Sequence, residues 1–123
     1  MPVYKMPSES TLVNNTMRLL SFYESSGLVV WFTRLQSGSV KVIKRWGAKR
    51  YENWMRLCRR GTPDVMAVMN TGEVLWLELK TKKGIASPDQ EEFKAIVGKV
   101  DGHHHMFLRN IDDLEEYIKE TWK

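Results

Sequence analysis

Three of the four charged residues in the largely apolar stretch 61–80 are spaced so that their side chains could come together. They are Asp64, Glu78 and Lys80. In a strand, alternation places Glu78 and Lys80 on the same face. Paired carboxylates are hard oxygen ligands that suit a divalent cation such as Mg²⁺. A neighbouring ammonium group could orient or deprotonate a water, or stabilise charge that develops on a phosphate. These residue types predict a metal-assisted hydrolytic site if the backbone brings them together.

A tight turn at residues 70–72 would bring these three side chains together, because it would join two apolar strands. A three-residue loop that ends in glycine, which accepts positive φ, places Met69 opposite Glu73. Counting outward from that pair places Asp64 opposite Glu78. Two acids directly opposite each other repel unless a cation lies between them. The register therefore predicts a cation site between these two carboxylates.

The order of residues around this hairpin is similar to a known family. Pro63-Asp64 followed by Glu78-Leu79-Lys80 resembles the PD-(D/E)xK nuclease signature. With Gly61 before it, and Gly84 and Ser87-x-x-Gln90 after it, the pattern resembles the VRR-NUC branch of that superfamily. The resemblance covers about half of the chain. It implies an α/β restriction-endonuclease-like core, in which a small mixed β-sheet is flanked by helices.

The resemblance also implies an activity, that of a Mg²⁺-dependent DNA endonuclease in which Mn²⁺ can substitute. Asp64 and Glu78 would hold the metal, with the backbone carbonyl of Leu79 as a further ligand. Lys80 would act on the attacking water. Small stand-alone members of the family resemble phage-type proteins that form homodimers and cut branched DNA such as four-way Holliday junctions. No nucleotide cofactor is expected.

Two further residues match family positions but also have structural explanations. Glu9 falls on a helical stripe with Val13, Met17 and Leu20, at the end predicted to face the core, where the family often places an additional metal or water contact. An acid in the first helical turn also stabilises the helix dipole. Gln90 matches a glutamine that faces the family's active site. Ser-Pro-Asp-Gln beginning three residues earlier is also a capping box, which explains Gln90 without catalysis.

A basic tract precedes the hairpin in a chain of formal net charge +4. Residues 44–60 contain seven basic side chains and a single acid, Glu52. Such a tract beside the aromatics Tyr51 and Trp54 favours a polyphosphate partner, although a solvated face is the alternative. Two lysines after the hairpin extend the candidate DNA-binding set, which is Lys44, Arg45, Lys49, Arg50, Arg56, Arg59, Arg60, Lys82 and Lys83.

Composition bounds the remaining possibilities. The 123 residues predict a single domain, with segment 44–60 inserted before the hairpin. The longest apolar run, residues 28–32, is too short to cross a bilayer, so no membrane partner is expected. One cysteine and the lack of a signal-peptide pattern favour the cytoplasm, which would be that of a host cell for a phage protein. The alternatives in function are a non-catalytic or complex-dependent nucleic-acid-binding module, and a nuclease without branch selectivity.

Periodicity and capping residues predict the order helix, strands, helix, strand, helix. Residues 46–60 fit either a short helix or an extended piece, and we expect an irregular segment there. The three histidines 103–105 predict the start of a strand rather than a metal site. The predicted elements are a helix over 8–24, strands over 28–36 and 39–45, the central hairpin, a helix over 87–101 with Phe93, Ile96, Val97 and Val100 buried, a strand from 103, and a helix capped by Asn110.

Overall fold

The computed structural model of the protein describes residues 8–35, 39–81 and 84–123. The helices and strands follow the predicted order, with the basic segment inserted between the first strand and the central hairpin. Their bounds are α1 Glu9–Ser26, β1 Val29–Arg34, β2 Ser39–Trp46, β3 Lys49–Arg56, β4 Val65–Met69, β5 Val74–Leu79, α2 Pro88–Val97, β6 His103–Leu108 and α3 Ile111–Thr121.

Strands β1, β4, β5 and β6 form a mixed sheet in the order β1-β4-β5-β6. Only the β5–β6 pair is parallel among these neighbours. Leu75 and Leu77 of β5 are buried in a core that includes Leu20 of α1 and Leu114 of α3. Because side chains alternate along β5, Trp76 points to the opposite face. There its ring packs against that of Phe93 of α2, with 5.1 Å between the ring centroids. The predicted α/β class, a small mixed sheet flanked by helices, is confirmed.

The β4–β5 hairpin has the register predicted from its turn. Val65 lies opposite Leu77, and the Met69 amide donates to the Glu73 carbonyl at 2.8 Å. Gly72 takes the positive φ of 89° that the loop requires. Extending the register one pair beyond Val65 and Leu77 places Asp64 opposite Glu78.

Predicted helix starts are confirmed by their caps. The Ser8 side chain accepts from the Thr11 amide at the start of α1, and the Asn110 side chain caps α3. At α2 both halves of the capping box are present: the Gln90 amide donates to Ser87 Oγ at 3.2 Å, and the Ser87 amide donates to Gln90 Oε1 at 3.0 Å.

The predicted extent and apolar stripe of α2 are partly wrong. The helix ends at Val97, several residues before the predicted end near residue 101. Val97 is buried and Phe93 half-buried, but Ile96 is 52% and Val100 48% exposed. The reason is that α2 packs mainly against β6, so only one narrow side of it is covered.

The largest correction concerns residues 46–60. They contain an eight-residue strand, β3, which pairs antiparallel with β2 from Ser39–Arg56 to Trp46–Lys49 in a separate two-stranded ribbon. Gly47, with φ 57°, reverses the chain between the two strands. The alternation of apolar and charged residues along β2 is typical of a strand with one buried face, but nearly every side chain in the ribbon is exposed. The spacing of Tyr51 and Trp54 fits one face of a helix, but pairing with β2 makes this segment a strand.

None of the helices in the described ranges is both long and apolar enough to span a bilayer.

Candidate functional site

Asp64 lies directly before β4, and its side chain is held by the neighbouring strand. The Leu79 amide donates to Asp64 Oδ2 at 2.8 Å. In a strand, the N–H and C=O of one residue point to the same side, so the Leu79 carbonyl also lies on the Asp64 side of β5. This orientation is compatible with Leu79 as a backbone ligand, and that role stays a prediction.

Glu78 is the most buried charged side chain that the structure describes, with 3% of its surface exposed. Its Oε1 accepts from the Gln90 side-chain amide at 2.9 Å. Its Oε2 is buried and receives no donor from the described part of the chain. Burial, then the adjacent Asp64 carboxyl, raises the pKa of Glu78 to about 8, against the opposing effect of the Lys80 charge. A carboxyl in this position therefore holds either a proton or a cation at neutral pH.

Lys80 completes the group through Gln90. Its Nζ donates to Gln90 Oε1 at 2.6 Å, while the same amide group contacts Glu78 through its nitrogen. Gln90 thus closes the capping box of α2 and bridges two of the predicted site residues. Gly84 packs beside this lysine, since a Cβ added there would lie 3.3 Å from Lys80 Cδ. Asp64, Glu78, Lys80 and Gln90 are therefore brought together; their catalytic roles stay predictions.

A divalent cation fits the donor set at this position. Glu78 Oε2, which receives no donor from the described residues, and the adjacent Asp64 carboxyl can both be satisfied by one cation, with the Leu79 carbonyl as a third protein ligand. Within residues 8–35, 39–81 and 84–123, no three His, Cys, Asp or Glu side chains gather as a metal-binding group. A site with two carboxylates and one carbonyl matches Mg²⁺, which usually keeps several of its waters.

Glu9 is not brought to this group by any contact in the described structure. Its side chain is exposed in the first turn of α1, and it forms no hydrogen bond or ion pair with another described residue. The prediction that Glu9 faces the core is wrong, because Leu12, Thr16 and Leu20 form the buried side of α1. Its position as an acid near the helix N-terminus accounts for it structurally, and its role at the site stays a prediction.

The predicted DNA-binding residues divide into two described groups. Arg56 and Arg60 line a surface depression together with Thr62 and Gln90, which connects them to the site. Arg59 lines an adjoining depression beside α2. The second group lies on the exposed ribbon and consists of Lys44, Arg45, Lys49 and Arg50. Lys82 and Lys83 lie outside the described residues.

Two positioning residues have roles that the sequence did not reveal. Gly61, with φ 83°, lies so close to the first turn of α2 that an added Cβ would be 2.3 Å from the Asp89 carbonyl oxygen. Arg109 donates to the carbonyls of Thr81 at 2.6 Å and Gly84 at 2.8 Å, which fixes both ends of the segment after β5. A lone arginine directly after β6 was the available signal for the second role, but its acceptors are backbone atoms that no pattern identifies.

A scan against protein-family models and a search of curated proteins found no match for this sequence.

Proposed function

We propose that the protein is a metal-dependent endodeoxyribonuclease that hydrolyses phosphodiester bonds. The observation that carries the proposal is the convergence of Asp64, Glu78 and Lys80 at one end of the β4–β5 hairpin, linked by Gln90. A carboxylate pair beside an ammonium suits hydrolysis of a phosphate ester better than it suits binding alone. A pure phosphate-binding surface would gain nothing from two acids that face the ligand.

Each residue has a definable task in such a reaction. Asp64 and Glu78 would hold the cation, and the Leu79 amide keeps Asp64 in place. A bound Mg²⁺ would supply Lewis-acid stabilisation of the charge that develops on the phosphate. Lys80 orients the attacking water and stabilises that charge with its ammonium, while Gln90 fixes the lysine relative to Glu78.

The arginines next to the site support a nucleic-acid substrate. Arg56 and Arg60 line the depression that Gln90 also lines, so a phosphodiester entering the site would meet two guanidinium groups. DNA as the polymer, branched DNA as its preferred form and the homodimer follow from the resemblance to VRR-NUC nucleases. A two-fold pair of sites would suit a symmetric junction. Mass measurement of the free protein and of its DNA complex tests the dimer.

A cleavage panel tests the activity. Wild type is incubated with four-way, flap, nicked and linear DNA in Mg²⁺ or Mn²⁺, beside Lys80→Ala and the control Lys99→Ala, which removes an exposed lysine away from the site. We expect Lys80→Ala to lower the cleavage rate about 100-fold or more, the usual range for a group that acts in proton transfer or charge stabilisation. Lys99→Ala should cleave like wild type. If no substrate is cut while DNA is still bound, the proposal is wrong.

The second candidate function is a non-catalytic nucleic-acid-binding module, which the basic ribbon favours. Such a module would bind DNA with a strong salt dependence. It would show no metal-dependent cleavage that Asp64→Asn could remove. Binding and cleavage measured on the same preparation separate the two candidates.

A further inference from the structure

The ribbon formed by β2 and β3 is not packed against the rest of the described fold. Its strands pair with each other, and neither makes an extended contact with another described helix or strand. An isolated two-stranded hairpin is at best marginally stable in water. This one nevertheless displays large apolar side chains, of which Trp46, next to the turn, is 82% exposed. Such a surface is expected to have a binding partner.

The two faces of the ribbon differ in charge. On one face Glu52 forms ion pairs with Lys41 at 2.9 Å and with Arg50 at 3.2 Å. Alternation also places Trp54 on this face. Arg45 and Arg56 lie on the same face, so this single acid offsets only part of the positive charge there and lies between the basic side chains.

The opposite face carries positive charge without an acid. Cross-strand pairing sets Lys44 beside Tyr51 and Trp46 beside Lys49. The same face includes Asn53 but no Asp or Glu, and neither lysine forms an ion pair with any residue that the structure describes. Lys44, Trp46, Tyr51 and Asn53 line a shallow depression near the tip of the ribbon. Two aromatic rings between two uncompensated ammonium groups are thus exposed on one surface.

This combination matches unpaired nucleic acid more closely than other occupants. Aromatic side chains stack on bases, and cations track the phosphates in sites for single strands. A continuous duplex shows the flat faces of its bases only at its ends, so it would leave the two rings largely unused. A second copy of this face would bring like charges together.

We propose that the tip of the β2–β3 ribbon is a single-stranded DNA site, in which bases stack on Trp46 and Tyr51 while Lys44 and Lys49 contact the phosphates. The choice of DNA rests on the proposed nuclease function, whereas the stacking surface is independent of it. The site would let the protein hold a flap, a frayed end or another unpaired segment away from the carboxylate pair. It would thus favour substrates that contain unpaired bases.

Binding is measured in EDTA, where no cleavage can occur, by fluorescence polarisation with a labelled oligo(dT) and with a blunt duplex. Trp46→Ala should weaken oligo(dT) binding about 5- to 150-fold, the effect of losing one stacked base. Trp46→Phe should restore most of the affinity, because it keeps an aromatic ring. Trp54→Ala is the matched control, since it removes a tryptophan that is 71% exposed on the other face of the same ribbon. It should change affinity by no more than about twofold.

When log affinity is plotted against log salt concentration, replacing both Lys44 and Lys49 by alanine should reduce the magnitude of the slope by about 1.4. The proposal is overturned if Trp46→Ala leaves oligo(dT) binding unchanged, or if Trp54→Ala weakens it equally. It is also overturned if Trp46→Ala changes the mass of the free protein rather than its affinity, since the ribbon would then be a self-association surface. If the protein bound oligo(dT) as expected but cleaved no DNA in Mg²⁺, the proposed nuclease function would be wrong and the single-stranded DNA site would still be supported.

Discussion

Because the carboxyl of Glu78 is buried, we expect the metal-free protein to become less stable as the pH rises through neutrality. The pKa of Glu78 is raised from its ordinary value of 4.5 to about 8, chiefly by burial and then by Asp64. Between these two values the folded protein binds one proton more than the unfolded chain. The stability that this proton contributes is fully present below the unfolded pKa and is lost as the pH rises through the folded pKa.

The magnitude follows from the same two values. Between about pH 6 and pH 8 the unfolded chain has already lost this proton, while the folded protein goes from fully to half protonated. One pKa unit corresponds to about 1.4 kcal/mol, and integrating the proton difference over this interval gives a loss of roughly 2 kcal/mol. Glu78→Gln should remove this loss, because a neutral amide of the same shape stands in for the protonated acid.

The assay is urea unfolding in EDTA at pH 6 and pH 8 for wild type, Glu78→Gln and the control Glu24→Gln, which changes an exposed acid on α1. Titrating groups that do not interact with Glu78 contribute equally to all three proteins, so the decisive quantity is the difference in pH dependence between them. Saturating Mg²⁺ should stabilise wild type more at pH 8 than at pH 6, because the cation then no longer competes with the proton. An identical pH dependence in wild type and Glu78→Gln would refute the reasoning.

Three further predictions concern residues around the site and sheet. Gly61→Ala should destabilise the fold by about 2 kcal/mol or more, because its Cβ would clash with α2. In the control Gly72→Ala, φ is 89° but the added Cβ would meet no described atom within 4 Å beyond its chain neighbours, so only about 1 kcal/mol of backbone strain is expected. Equal losses of unfolding free energy in urea would contradict the packing argument. Ser87→Ala and Gln90→Ala should each lower the free energy of unfolding by about 1 kcal/mol, because each removes part of the helix cap. Only Gln90→Ala should also lower the cleavage rate. If both variants lost the same activity, the role of Gln90 would be structural. The buried ring nitrogens of His105 form no hydrogen bond with the described residues, and burial and then the Lys94 charge lower its pKa to about 4. Its stabilising effect is therefore present above the ordinary pKa of 6.5 and is lost as the pH falls from there towards the folded pKa. At pH 5 this loss should reach about 2 kcal/mol, and His105→Phe should not show it.

The central hairpin could be predicted from the sequence because its geometry is local. A loop that ends in Gly72 fixes the register of β4 and β5, and that register alone brings Asp64 opposite Glu78. The capping box at Ser87 was equally local, and it fixed where α2 begins. In both cases, residues close together in the sequence were sufficient to predict the local structure.

Features that depend on distant packing could not be predicted in the same way. The spacing of Tyr51 and Trp54 fits a helix, but pairing with β2 made the segment a strand. Glu9 fell on an apolar stripe with Met17 and Leu20, yet it is exposed at the end of α1. The close approach of Gly61 to α2 depends on tertiary contacts, so no nearby residue indicated it.

The separation of the ribbon from the sheet has a consequence for how binding and chemistry combine. Trp46 lies at the ribbon tip, whereas Lys80 lies after β5 and contacts Gln90, and the two share no contact in the described structure. Changes at sites without shared partners usually add in free energy. Trp46→Ala should therefore raise the dissociation constant for DNA with unpaired bases, and Lys80→Ala should lower the rate of the bound complex. If the double variant instead showed much less than the product of the two effects, binding at the ribbon tip would be coupled to the reaction, and Arg56, at the opposite end of β3 and beside the site, would be the residue to test next.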